Sequence, residues 1–219
     1  MADFGLSKQI NDDEISVTNT ASCTELWAAP EVLTGIGRVT VKLDIYCLGC
    51  IYYYLWTNEH PFGPNNVRRS NIMNDNITDL SNELLGKYEL QKLISEMVQI
   101  DQDERLSAEA VSKHPFFWKG EEKINFISRI KELVSNTDDE NGQVILSYLT
   151  SNKNDVLQCD DWIHKLEPIM QKHLCEKEKG IQKRTYNNSF VDLMQCIRNK
   201  YEHIAELPSE IQVLFRNFM

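Results

Sequence analysis

A chain of 219 residues, 42% of them hydrophobic, has room and apolar mass for one large or two small packed domains, which excludes a disordered tail. Its formal net charge of −10 excludes a protein that coats nucleic acid through a broad basic field, because that kind of affinity comes from neutralising phosphates. Six cysteines, at 23, 47, 50, 159, 175 and 196, make one Cys-x-x-Cys pair with no second pair to complete a tetrahedral zinc site, so reduced thiols in a cytosolic compartment are expected.

In chain order, Asp3-Phe4-Gly5, followed by Leu6-Ser7-Lys8, resembles the magnesium-binding triplet of protein kinases. Ala29-Pro30-Glu31 follows 26 residues after Asp3 and is similar to the landmark that closes a kinase activation segment. Between them Ser16, Thr18, Thr20, Ser22 and Thr24 sit in a polar stretch without apolar periodicity, read either as a hydroxyl-rich loop or as a loop ordered by phosphorylation. The run from Val41 to Trp56 is apolar almost all round, which predicts a helix buried at the centre of a lobe; Asp44 is expected to cap it. Its core, Ile45 to Trp56, is 12 residues and too short to span a bilayer. No signal peptide opens the chain, so any membrane attachment is expected on other sequence.

His60-Pro61-Phe62-Gly63 breaks this helix, and residues 64 to 87 read as a loop with a short helix. Leu90, Leu93, Ile94, Met97 and Val98 recur at helical spacing. Asp101 to Ala108 resembles the closing motif of a kinase C-lobe, with Leu106 where proline is usual, and the resemblance implies that Arg105 pairs with Glu31 and that Asp44 ties down the catalytic loop. His114 reads as a packed residue rather than a ligand. After Trp118 charged amphipathic helices begin without a Gly/Ser linker, so a second unit is expected to pack directly on the first.

Three helices are expected next, carried by Ile124 to Val134, by Val144 to Leu149, and by Trp162, Ile163, Leu166, Ile169 and Met170; His164 and His173 read as surface histidines. In the stretch Lys183 to His203, Phe190, Leu193, Met194, Ile197, Tyr201 and Ile204 fall on one apolar stripe. Asn199 and His203, four residues apart, are expected on the wet face with Arg198, and Tyr186 lies just upstream. A cation, an amide, an imidazole and a phenol could grip a phosphodiester and move protons at neutral pH. Lys177, Lys179, Lys183, Arg184, Arg198 and Lys200 supply a local basic patch, diluted by Glu176, Glu178 and Glu202.

The run Tyr186, Asp192-Leu193, then Ile197-Arg198-Asn199-Lys200-Tyr201-Glu202-His203 and Glu206-Leu207-Pro208 resembles the kinase-extension nuclease family, borne by the inositol-requiring kinase-endoribonucleases and ribonuclease L. The resemblance implies a mainly α fold, with an incomplete kinase C-lobe over 1–118 and a C-terminally short, all-helical nuclease domain over 119–219. It implies that Tyr186, Arg198, Asn199 and His203 cleave RNA without a cofactor, and that Asp3 holds magnesium and ATP only in an intact kinase. It further implies a stem-loop RNA substrate, self-association through both halves, no DNA partner, no membrane segment in this chain, and a parent on the cytosolic face of the endoplasmic reticulum. The match is read only as far as Pro208. No Gly-rich loop, strand lysine or catalytic His-Arg-Asp precedes Asp3, so phosphoryl transfer by this chain alone is not expected and the chain reads as a fragment. The competing reading is a catalytically silent dimerisation or partner-binding module, in which Arg198 and Glu202 merely pair along a solvated helix.

Overall fold

The computed structural model describes residues 25–35, 40–153, 157, 161–175 and 186–218. Asp3, the hydroxyl-rich stretch from Ser16 to Thr24, and Lys177 to Arg184 of the basic patch lie outside the described residues. Every regular element among the described residues is helical. None of these helices is long and apolar enough to cross a membrane. The chain divides into two compact units, Met1–Phe117 and Trp118–Met219.

The first unit contains α1 (Pro30–Thr34), α2 (Lys42–Thr57), α3 (Asn65–Met73), α4 (Leu80–Glu83), α5 (Tyr88–Met97) and α6 (Ala108–Ser112). Pro30 starts α1, where its missing N–H is no loss, and Gly35 ends it at φ 62°. The core gathers Tyr46, Cys50, Tyr53, Phe62, Ile72, Leu84, Leu90 and Ile94. Each large apolar side chain buried there contributes about 1.5–3 kcal/mol. Gly49 lets α2 touch α5, since a Cβ at that position would lie 2.8 Å from the Met97 Cβ and from a Val98 methyl. A pair of charges ties the ends of the unit together: the Arg105 guanidinium donates to both Glu31 carboxylate oxygens at 2.7 and 2.8 Å, as expected. His114 is packed as expected, 8% exposed, its Nδ1 accepting the Phe116 N–H at 3.2 Å.

Two expectations for α2 fail. Val41, not Asp44, is the N-cap residue, and no side chain caps the helix; Asp44 sits inside the first turn and is exposed. Nor is the helix buried all round: Tyr46, Gly49, Cys50 and Tyr53 face the core, while Ile51, Tyr54, Leu55 and Trp56 are 43%, 41%, 74% and 52% exposed. An all-apolar sequence has no polar face to show which side packs, so periodicity could not separate the two.

The second unit contains α7 (Gly120–Ser135), α8 (Glu140–Ser151), α9 (Trp162–Lys165), α10 (Pro168–Cys175), α11 (Phe190–Glu202) and α12 (Ser209–Phe218). The helices α7 and α8 form a hairpin closed at Gly142, where any Cβ would overlap the Leu133 carbonyl oxygen. Val134 on α7 meets Phe190 and Met194 on α11, with Ile127, Ile130, Ile145 and Leu149 around them. A second cluster joins Met170 on α10 to Leu207 and Ile211, flanked by Ile204. The single helix expected through Trp162 and Met170 is broken. Leu166 is extended at ψ 151°, and Pro168, which disfavours helical backbone in the residue before it, restarts the chain as α10. His164 is a surface side chain, 79% exposed, whereas His173 is half-buried.

Candidate functional site

The four residues singled out in the sequence lie on or against α11. Ser189 caps that helix, its hydroxyl accepting the Asp192 N–H at 3.1 Å. Asp192 reaches back: one carboxylate oxygen accepts the Asn187 backbone N–H at 2.7 Å and its side-chain amide at 2.9 Å. An acidic group in the first turn also suits the positive end of the helix. Trp162, 3% exposed, holds the same segment from the other side, donating its indole N–H to the Asn187 carbonyl at 3.2 Å. The Tyr186 ring lies edge-on to that indole, with centroids 6.4 Å apart. The backbone of Asn187, the residue next to Tyr186, is therefore held on its own account, apart from the contact of the Tyr186 hydroxyl.

The hydroxyl meets Asn199, whose Nδ2 donates to the Tyr186 oxygen at 3.1 Å. Asn199 is half-buried rather than on the wet face, and its Oδ1 accepts from the Gln195 amide at 2.5 Å. Arg198 and His203 join this pair only through the helix backbone: Arg198 is the preceding residue, and the His203 N–H donates to the Asn199 carbonyl at 3.2 Å. His203 is the residue that ends α11, and its ring is 61% exposed. Its Nδ1 lies 3.2 Å from a Glu206 carboxylate oxygen, which leaves Nε2 as the nitrogen that can face a ligand. Arg198 donates through Nε to Glu202 at 2.8 Å, with side chains 33% and 47% exposed. Its two terminal nitrogens stay available for an anion, and two parallel N–H groups suit phosphate oxygens.

Sequence reasoning missed Asp192 and Gln195 as buried positioning groups, 9% and 7% exposed. The signal for Asp192 was present, because Ser189 followed three residues later by an acid is a capping pattern. Nothing in the pattern marks Gln195, a polar residue one turn before an asparagine. Cys196 beside it is buried, and burial pushes its thiol up to about 11, so at neutral pH it is an uncharged packing group. Cys50 is likewise buried and its thiol is held well above the usual range, mainly by burial and then by Cys47. Neither serves as a thiolate.

Comparison with known proteins gives two domain matches, a protein kinase domain over residues 1–117 and ribonuclease 2-5A over residues 123–219. The second match continues past Pro208 to the last residue, which corrects the shorter reach expected from the motif alone. The chain is 33% identical to the serine/threonine-protein kinase/endoribonuclease ire-1 of Caenorhabditis elegans, over 97% of this chain and 22% of that protein. It is 34% identical to serine/threonine-protein kinase/endoribonuclease IRE1a of Arabidopsis thaliana, over 98% of this chain and 25% of that protein. With the sensor for unfolded proteins in the ER ire1 of Schizosaccharomyces pombe it shares 26% identity, over 97% of this chain and 21% of that protein. The chain thus spans about a fifth to a quarter of the length of these relatives.

Proposed function

Because the chain belongs to the protein kinase domain family through residues 1–117, joined to a ribonuclease 2-5A domain over residues 123–219, we propose that its second unit is the RNA-cleaving part of a bifunctional kinase-endoribonuclease that responds to unfolded protein. The reaction is transesterification without a metal. The ribose 2′-oxygen attacks the adjacent phosphorus, the bond from phosphorus to the 5′-oxygen breaks, and a 2′,3′-cyclic phosphate and a 5′-hydroxyl result. Tyr186 assists removal of the 2′-hydroxyl proton, and His203 gives a proton to the leaving 5′-oxygen. Arg198 and Asn199 stabilise the charge that gathers on the phosphoryl oxygens. The substrate is a stem-loop RNA, the chain acts as a dimer or higher assembly through both units, and the parent works on the cytosolic face of the endoplasmic reticulum. ATP and magnesium serve the kinase half of that parent.

One observation carries this reading: the Tyr186 hydroxyl sits 3.1 Å from the Asn199 amide, immediately beside Arg198 and one turn before an exposed imidazole. Tyrosine and asparagine 13 residues apart thus meet next to a cation and within a turn of an imidazole. The test is cleavage of a stem-loop RNA in EDTA by the chain and by His203→Ala, with circular dichroism to verify the fold. Loss of a proton-transfer group should slow cleavage by about 10²–10⁴-fold. Undiminished cleavage by the variant removes His203 from the mechanism.

A second reading, a silent partner-binding module, is favoured by a different pair of contacts. Glu202 and Glu206 of the same chain already meet Arg198 and His203. On that reading the unaltered chain leaves the RNA intact in the same assay.

A further inference from the structure

We propose that Glu206 is a positioning residue: its carboxylate holds the Nδ1–H of His203 and so makes Nε2 the nitrogen that gives its proton to the leaving 5′-oxygen. The consequence for rate rests on the nuclease reading above, whereas the state of the ring without RNA does not.

The chain just past α11 brings the two side chains together. His203 ends the helix, and Ile204–Glu206 continues as a single 3-10 turn, in which the Glu206 N–H donates to the His203 carbonyl at 3.0 Å. Such a turn has three residues per turn, so side chains three apart eclipse one another and Glu206 stands over His203. The turn itself is anchored on the core. Leu207, which follows it, is 8% exposed and packs with Met170 and Ile211. Pro208 keeps Leu207 extended at ψ 152°, and the Gln212 side-chain amide donates to the Leu207 carbonyl at 2.8 Å. The backbone that carries Glu206 is thus held by the packing of Leu207, independently of the contact with His203.

A carboxylate has one polarity. When ionised it only accepts, so the Nδ1 that it meets at 3.2 Å carries the hydrogen, and in a neutral ring Nε2 is then bare. The charged ring carries both hydrogens. When that ring acts as an acid, its Nε2–H bond breaks as a bond from the 5′-oxygen to the hydrogen forms. The electron pair stays on Nε2, and the neutral ring keeps its bond to Glu206. Loss of the other proton would instead turn the Nδ1 lone pair on the carboxylate, acceptor against acceptor. Glu206 therefore selects which nitrogen releases the proton and which way the ring faces while it does so. His164 offers a contrast: its Nδ1 lies 2.8 Å from Asp161, but the other oxygen of that carboxylate accepts the Ile163 N–H and caps α9.

The experiment uses the full chain with Glu206→Ala and with Glu206→Gln, whose side-chain oxygen can still accept but whose amide nitrogen can donate as readily. Two-bond nitrogen–hydrogen NMR without RNA, at about pH 9 where an ordinary imidazole is neutral, reads which ring nitrogen carries the hydrogen. His203 is assigned by its loss in His203→Ala. The unaltered chain should hold mostly the Nδ1–H form. Glu206→Ala should return the ring mostly to Nε2–H, the form that histidine side chains prefer in water, with Glu206→Gln between the two and His164 unmoved in both. A ring mostly Nε2–H in the unaltered chain, or one left unchanged by Glu206→Ala, would overturn the inference. With stem-loop RNA, Glu206→Ala should lose about tenfold in kcat, the order of one hydrogen bond, and Glu206→Gln less. KM should not rise, since the lost negative charge favours RNA. An unchanged kcat, or a loss carried by KM alone, would overturn positioning as well. If the unaltered chain leaves RNA uncut, the nuclease reading falls, and the tautomer alone decides whether Glu206 sets the ring.

Discussion

Arg105 and Arg198 each meet a glutamate of their own chain, but the first has a side chain 0% exposed and the second one 33% exposed. Arg105 donates to Glu31 twice and to the carbonyls of Gln99, Ile100 and Lys42, which uses all five of its N–H groups, and it lies 4.9 Å above the Tyr46 ring. Arg198 makes one such bond, through Nε. The histidines divide by access: His60 is 4% exposed in the first unit, and the His203 ring is 61% exposed in the second. A saturated group can only hold its own fold together, while a group with donors to spare and an open approach can take a ligand. The difference teaches that residue type, which is the same in both regions, does not separate frame from site; polar atoms that are both unused and open to solvent do.

The sharpest way to break this comparison is to remove each arginine. Arg105→Ala leaves the Glu31 carboxylate, 9% exposed, without its partner and should cost about 3–5 kcal/mol. Arg198→Ala should cost less than about 1 kcal/mol, as exposed pairs do. Amide hydrogen exchange resolved by residue reads each unit separately and gives both numbers. Equal losses at the two positions would mean that burial does not distinguish them.

A smaller effect tests the histidine half of the comparison. The His60 Nδ1 accepts the Phe62 N–H at 3.2 Å, its ring stands edge-on to Trp27 at 4.5 Å, and Nε2 is buried without a hydrogen-bond partner among the described residues. Burial, helped by the nearby Arg68 cation, pushes the imidazole down to about 3. The unfolded chain takes up that proton near pH 6.5, so between the two values the unfolded state binds more protons. The contribution of His60 is complete above about pH 6.5 and is lost as pH falls, by up to about 1.4 kcal/mol per pH unit. His60→Phe should flatten that fall. Urea midpoints of the two proteins between pH 7 and pH 5 check it, and parallel slopes would show that His60 carries no such linkage.

How much of this was legible in the sequence follows from the same physics. Glu31 and Arg105, 74 residues apart, were readable because two motifs in order fix their roles, and α11 because its apolar stripe repeats at helical spacing. The pairing of Tyr186 with Asn199 was readable only as a convergence; no periodicity carries the 3.1 Å contact. The reach of Asp192 back to Asn187 and the burial of Gln195 were not read, because a stripe analysis sends every polar side chain outward, and these two turn inward to bond neighbours. The exposed side of α2 was hidden for the opposite reason, since residues that are all apolar give no contrast. The break before Pro168 had a plain signal in the proline itself, which the hydrophobic spacing across it overrode.

The finest distinction lies in Glu202. At Arg105 the carboxylate completes the frame, whereas at Arg198 a carboxylate 47% exposed competes with any phosphate for the same guanidinium. Glu202→Gln should therefore change stability by only a few tenths of a kcal/mol, the usual worth of an exposed i, i+4 pair. Its effect on RNA should be larger and of opposite sign, because it weakens the hold on the Arg198 Nε and removes one negative charge from the approach to the site. RNA binding measured by fluorescence anisotropy should tighten severalfold at low salt, with the gain fading as salt screens the charge. A module that binds protein partners through a solvated helix face would show no such salt-dependent gain toward RNA. A tightening that persists undiminished at high salt would also fail the comparison, since it would mean that Glu202 acts on RNA by shape rather than by competing for Arg198.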